Sequence, residues 1–187
     1  MVEAIRARLA EYNAKDLDDG GLPRAAVLIA LYERDDEHHV LLTVRTELVE
    51  HHKSQISFPG GAADPDDADL VATALRETDE EIGVRPEHID VLGRLDDILT
   101  ISNFIVTPYI GRVTEPAPYP FAPNTFEVAE ILEVPLGHLH DPANTLTVPA
   151  PWRDRMVPPP AYRFGHHIIW GATGRMLRDF LKLVDGA

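Results

Sequence analysis

The chain has 187 residues, with 17 basic against 31 acidic side chains and a net charge of -14. That length suits one well-buried domain, and the charge argues against a nucleic-acid groove or an anionic membrane surface. Cysteine is absent, which excludes a disulfide framework, a thiol nucleophile and a zinc-thiolate site. The apolar runs are far short of a membrane span and the N-terminus lacks an apolar signal core, so a cytoplasmic protein is expected.

In chain order, Val2 to about Leu17 places Ile5, Leu9 and nearby alanines at helical spacing and predicts an N-terminal helix, ended by Asp18-Asp19-Gly20-Gly21. Ala25 to Tyr32 and Val40 to Arg45 are aliphatic runs around the charged turn Glu33-Arg34-Asp35-Asp36-Glu37 and predict a hairpin. A helix follows from about Ala68 to Ile82. Further strands are predicted near Ile89 to Leu95, Phe104 to Val113 and Glu130 to Val134, and a last helix from about Ala172 to Leu183. This interleaving predicts a mixed sheet between helical layers. The proline-rich stretches Glu115 to Pro123 and Val148 to Tyr162 are too poor in backbone donors for central strands and read as stiff surface loops. Their aromatics Tyr119, Phe121, Trp152 and Tyr162 offer rings for stacking on adenine, although loop aromatics more often pack the loop down.

The chemistry concentrates in Arg76-Glu77-Thr78-Asp79-Glu80-Glu81-Ile82-Gly83-Val84. Residues three and four apart on a helix are neighbours, so Glu77 lies beside Glu80 and Glu81, and the three carboxylates share one side. Such crowding weakens a helix unless a cation sits among the acids, and Arg76 alone cannot neutralise three. A hard divalent ion with oxygen ligands, Mg²⁺ or Mn²⁺, answers the repulsion and usually serves phosphate chemistry. An acidic run is as readily a solvated helix face. The flanks favour a site: Gly83 supplies a helix stop, and Phe58-Pro59-Gly60-Gly61 a tight turn where backbone can approach a ligand.

Gly61 followed by Arg76-Glu77-x-x-Glu80-Glu81-x-Gly83-Val84 resembles the signature of the Nudix hydrolases, which cleave a nucleoside diphosphate linked to another moiety. The interval Ala62 to Leu75 is one residue longer than usual, Asp67 stands where the family has a Glu, and Thr78 replaces an aliphatic residue. The longer interval is similar to the coenzyme A pyrophosphatase type, as are Leu41 to Arg45, His52 to Gly61, Asn124 to Glu130 with Val134-Pro135-Leu136, and Ile169 to Thr173. Ser54 departs from that type, which has a glycine there.

The resemblance implies an α/β fold of mixed α+β character: one domain over residues 1–187, an α/β/α sandwich with a mixed central sheet, a catalytic loop-helix-loop and the N-terminal helix packed on it. It implies Mg²⁺ (or Mn²⁺) held by Glu77, Glu80, Glu81 and the Gly61 carbonyl, with Arg76 orienting a helix glutamate and Glu80, Glu81 or a distant acid, Glu127 or Glu130, as general base. Arg45, His52, Lys53, Gly60 and Gly61 are the candidate substrate contacts, with Arg45 or Lys53 on the 3′-phosphate of coenzyme A. The expected products are 3′,5′-ADP and 4′-phosphopantetheine. Another nucleoside diphosphate substrate such as ADP-ribose or NADH, and a non-catalytic nucleotide-binding regulator, are the alternatives. The implied partner is a small molecule, not nucleic acid or membrane, and monomer or homodimer is left open. Apart from His52, the histidines read as structural or solvated: neighbours such as His38-His39, His51-His52 and His166-His167 would point to opposite sides of a strand, where a pair does not easily chelate one ion.

Overall fold

The computed structural model describes residues 1–18, 20–47, 55–147, 149–152 and 155–186. The first half of the chain forms α1 (Val2–Glu11), β1 (Arg24–Arg34), β2 (Glu37–Arg45), β3 (Ile56–Ser57), β4 (Gly60–Ala62), α2 (Leu70–Ile82), β5 (Ile89–Arg94) and β6 (Ile98–Leu99). The second forms β7 (Ile105–Val113), β8 (Val128–Pro135), α3 (Leu136–His140), β9 (Thr145–Leu146), β10 (Ala150–Trp152), β11 (Arg155–Val157), β12 (Ala161–Phe164), β13 (His167–Ile169) and α4 (Gly171–Asp185).

β1 organises the sheet. Leu28 to Leu31 are fully buried, as a strand covered on both faces must be. It pairs in parallel with β7 and antiparallel with β2, which makes the sheet mixed. The β1–β2 turn uses Asp35 and Asp36, with φ 53° and 60°, between the paired residues Arg34 and Glu37. Two left-handed residues in a two-residue loop match the twist of a hairpin, and aspartate tolerates that conformation.

The two strands then part. β4 pairs with Ala25 to Val27 of β1, while β3 pairs with Thr43 and Val44 of β2. Segment 56–62 is therefore wedged between them, pinned by buried Phe58 and by the Leu28 amide donating to the Pro59 carbonyl at 2.8 Å. Only glycine fits at residue 60: φ is +153°, and a Cβ would lie 2.3 Å from the Ala26 carbonyl oxygen.

Alternate β1 residues serve opposite layers. Ala26, Leu28, Ala30 and Tyr32 join Ala74 and Ile82 of α2. Ile29 and Leu31 face the other way, toward Ile5 and Leu9 of α1 and Leu177 and Phe180 of α4. The result is the expected α/β/α sandwich. No described helix is long and apolar enough to cross a membrane.

Two boundaries differ from the sequence reading. α1 stops at Glu11, well before Leu17, because the next residues give their polar groups to the chain after β5. The Tyr12 hydroxyl and Lys15 amide donate to Asp96 at 3.0 and 2.9 Å, and the Leu17 amide to Asp97 at 3.1 Å. α2 begins at Leu70 rather than Ala68 because Asp69 is its N-cap, accepting from the Ala72 amide at 2.8 Å. Asp69→Ala should cost about 1 kcal/mol, the usual price of a lost cap. Urea midpoints of the two proteins check it.

The proline-rich expectation holds for 115–123, which contains no helix or strand. It fails in part for 148–162, where β10, β11 and the start of β12 form. These strands lie outside the main sheet, in a two-stranded hairpin and in the small sheet β9–β12–β13, where a missing donor is tolerated.

Candidate active site

The parting of β1 and β2 sets the glycine turn beneath α2. A Cβ on Gly61 would lie 2.5 Å from the Glu77 carboxyl carbon and both its oxygens, so the Glu77 carboxylate rests directly on glycine backbone. Burial raises the Glu77 pKa even though the Arg76 guanidinium donates to it at 2.8 Å. Glu80, on the same helix face, has a side chain 58% exposed and meets Arg76 at 3.2 Å.

Glu81 is different in kind. The residue is 3% exposed, and burial pushes its carboxyl up to about 7. Arg45 at 3.5 Å and the Gly60 amide donating at 3.4 Å pull the other way, while Glu77 and Glu127 add repulsion. Desolvation outweighs the single cation because the guanidinium stands beyond hydrogen-bond distance.

Arg76 ties the loop to the helix. Its Nε and Nη2 fork onto Asp67 at 2.9 and 3.0 Å, Nη2 also donates to the Ala62 carbonyl at 3.2 Å, and Nη1 holds Glu77. Arg76 thus touches the loop and a helix glutamate at once. Asp67 is thereby held well below the usual carboxylate range, and it also accepts from the Thr73 hydroxyl at 2.8 Å. Both Asp67 oxygens are engaged inside the loop, so this acid serves as a clamp on Arg76. The shorter acid at residue 67 still reaches the Arg76 fork across the one-residue longer loop. Thr78, in place of an aliphatic residue, is fully buried with its hydroxyl donating to the Ala74 carbonyl at 2.6 Å.

The rest of the cluster comes from distant segments. Arg45 at the end of β2 also approaches Glu127, ahead of β8, at 3.9 Å, and its Nε is buried without a hydrogen-bond partner. Of the two distant acids, Glu127 faces the helix carboxylates, whereas Glu130 turns to His167 at 3.2 Å. His52, Lys53 and Ser54 lie outside the described residues. Tyr119 and Phe121 pack the proline-rich loop down, Phe121 edge-on to Tyr32 with ring centroids 5.4 Å apart and Tyr119 donating to or accepting from His88 at 2.8 Å. That loop also docks on the end of α2: the Ala122 amide donates to the Ile82 carbonyl and the Asn124 amide to the Glu81 carbonyl, both at 3.0 Å. Tyr162 is buried in β12.

Four carboxylates, Glu77, Glu80, Glu81 and Glu127, thus meet two arginines. An all-oxygen donor set with excess negative charge over a glycine that leaves room suits a hard divalent ion. Sequence reasoning missed the Asp67 clamp and the docking of residues 122–124. The acid in the capping loop was the available signal for the first, and none existed for the second.

The chain matches the family described as NUDIX domain over residues 22–150. It is 46% identical over 173 residues to the protein named uncharacterized Nudix hydrolase NudL of Yersinia pestis, covering 87% of this chain and 80% of the relative. To the protein of the same name from Cronobacter sakazakii it is 34% identical over 167 residues, covering 83% and 80%. In structure it is similar to a C. elegans Ap4A hydrolase, with TM-score 0.56, 16% identity and coverage of 89% of this chain and 100% of that one. A MutT/nudix family protein from Enterococcus faecalis gives TM-score 0.54 at 15% identity, over 94% of this chain and 66% of that one. Nudix hydrolases act on small nucleotide substrates and generally use divalent ions such as Mg²⁺. The carboxylate helix on its glycine turn, the mixed sheet that carries both and the match over residues 22–150 make this chain a member of the Nudix hydrolases, enzymes acting on pyrophosphate bonds.

Proposed function

We propose that this hydrolase cleaves the diphosphate of coenzyme A or a derivative to 3′,5′-ADP and 4′-phosphopantetheine, in the cytoplasm, and that residues 1–187 act as one catalytic unit. One observation carries the choice of substrate. The two segments that resemble the coenzyme A type, around Gln55 to Gly61 and Ile169 to Thr173, meet in space: the Thr173 hydroxyl donates to the Ile56 carbonyl at 3.0 Å. Both line a cavity of about 530 Å³ with Leu99, Pro159 and Trp170. A largely apolar recess of this size next to Ile56, on the strand that leads into the glycine turn, suits the long pantetheine arm.

Glu77, Glu80, Glu81 and the Gly61 backbone are the proposed metal ligands. When bound, Mg²⁺ or Mn²⁺ polarises the diphosphate oxygens and lowers the pKa of the attacking water. Arg76, locked by Asp67, keeps Glu77 and Glu80 in one geometry, since a forked guanidinium fixes carboxylates in position and plane. Burial of Glu81 keeps bulk water off the inner side of the cluster. Glu127 is solvent-accessible, faces the cluster from another segment and is not held by Arg76, so it is the proposed acceptor of the water's proton. Arg45, on the rim with Lys53 nearby in sequence, is the proposed phosphate contact, including the 3′-phosphate.

A substrate panel tests this. Coenzyme A should be cleaved with at least tenfold greater efficiency than dephospho-coenzyme A, because a charge-assisted phosphate contact contributes roughly 1.5 to 3 kcal/mol. Equal efficiency would remove the 3′-phosphate contact. A strong preference for ADP-ribose would replace coenzyme A as the substrate.

A further inference from the structure

The histidine pair His166-His167 behaves unlike an extended pair, and this corrects the sequence reading. β12 and β13 pair Phe164 with His167, leaving Gly165-His166 as a two-residue turn with Gly165 at φ +56°. Glycine at the first central position turns the chain sharply, and the alternation that separates neighbours in a strand no longer applies. The two imidazoles lie on one side, ring centroids 3.9 Å apart. Glu130 of β8 faces them, its carboxylate 3.2 Å from His167 Nε2. One ligand atom from each of Glu130, His166 and His167 falls within 4.8 Å of the other two.

We propose that Glu130, His166 and His167 form a second metal site, apart from the carboxylate helix, for one d-block divalent ion such as Zn²⁺. Two imidazoles and one carboxylate are a donor set that binds zinc-like ions and is poorly matched to Mg²⁺, which prefers six oxygens. Ligands about 2.1 Å from a tetrahedral ion stand about 3.4 Å apart, and the His167–Glu130 pair stands at 3.2 Å. Three protein ligands leave a fourth position open to water at this exposed surface. Among the described residues β8 pairs with β2 in the main sheet and β13 with β12 in the small one, so the ion would join the two sheets.

The test is a calorimetric Zn²⁺ titration of tag-free protein in excess Mg²⁺, which on the proposed function competes at the carboxylate cluster and not for imidazole. Wild type should bind one Zn²⁺ there, and Glu80→Gln should retain it. His166→Ala and His167→Ala should each weaken it by at least about tenfold, since even an outer-shell partner of a ligand is worth that much. His166 is an exposed turn residue, so His166→Ala should stay folded and keep Mg²⁺-dependent turnover. Zn²⁺ should also raise the melting temperature of wild type and not of His166→Ala. Unchanged Zn²⁺ affinity in folded His166→Ala, or no Zn²⁺ binding by wild type in Mg²⁺, would overturn the site; loss of the same equivalent in Glu80→Gln would assign it to the catalytic helix instead.

Discussion

Glu80→Gln and Glu81→Gln are expected to lower Mg²⁺-dependent hydrolysis by about 10² or more while leaving the protein folded. An amide keeps the size of the side chain and removes the charge that a hard cation requires, and loss of a ligand or of a base typically costs on this order. The two variants should differ in detail. Glu80 is mostly exposed and, among the described residues, meets Arg76, so its replacement should act chiefly on turnover and metal dependence. Glu81 is buried against Arg45 and the Gly60 amide, so its replacement also alters the packing of the glycine turn. Initial rates across a Mg²⁺ series, with circular dichroism to establish folding, are the measurement. Near-normal rates in both folded variants would remove the helix from the chemistry.

The second large effect is on stability, in protein stripped of divalent ions. The Glu81 carboxyl rises from an ordinary 4.5 to about 7 in the folded protein. A raised pKa means the native state holds the proton more tightly than the unfolded chain. The stabilisation from Glu81 is therefore fully present below about pH 4.5 and is lost as pH climbs through about 7. For a residue this deeply buried the loss amounts to roughly 3 kcal/mol, at 1.36 kcal/mol per unit. Glu81→Gln is uncharged throughout. In EDTA, its stability relative to wild type should increase between pH 4.5 and 7.5 by about that amount. Glu77 shifts in the same direction and Asp67 in the opposite one, at lower pH; Asp67 is common to both proteins, and because Glu77 repels Glu81 the difference reports Glu81 together with its repulsion on Glu77. Saturating Mg²⁺ at pH 8 should return most of the lost stability to wild type and little to the variant, since ligand binding to the native state adds RT ln(1 + [L]/Kd). Urea unfolding at several pH values decides it. A wild-type-minus-variant difference that does not change with pH would mean that Glu81 ionises as freely as an exposed glutamate.

Local periodicity determined much of this protein. The spacing of Glu77, Glu80 and Glu81 placed three acids on one helix face, and Gly83 with φ +73° ends that helix where a glycine stop was expected. The apolar runs located β1, β2, β5, β7 and β8 to within a few residues, because burial on a sheet writes itself into consecutive side chains. Even the departures from the family signature were legible as departures, though their meaning was not.

What the tertiary structure alone decided depends on contacts between segments far apart in the chain, for which no local pattern exists. α1 ends early because Asp96 and Asp97 draw the polar groups of residues 12 to 17. Glu127 lies toward the carboxylates while Glu130, three positions on, turns to His167, because the chain enters β8 between the two. Arg45 meets Glu81 because segment 56–62 holds β2 away from β1. The raised pKa of Glu81 follows from burial beneath that same segment, and His166 joins His167 only because a glycine turn folds one strand back on the next. Desolvation, long-range pairing and turn handedness act through three-dimensional distance, and the order of residues along the chain specifies that distance only after the whole chain has folded.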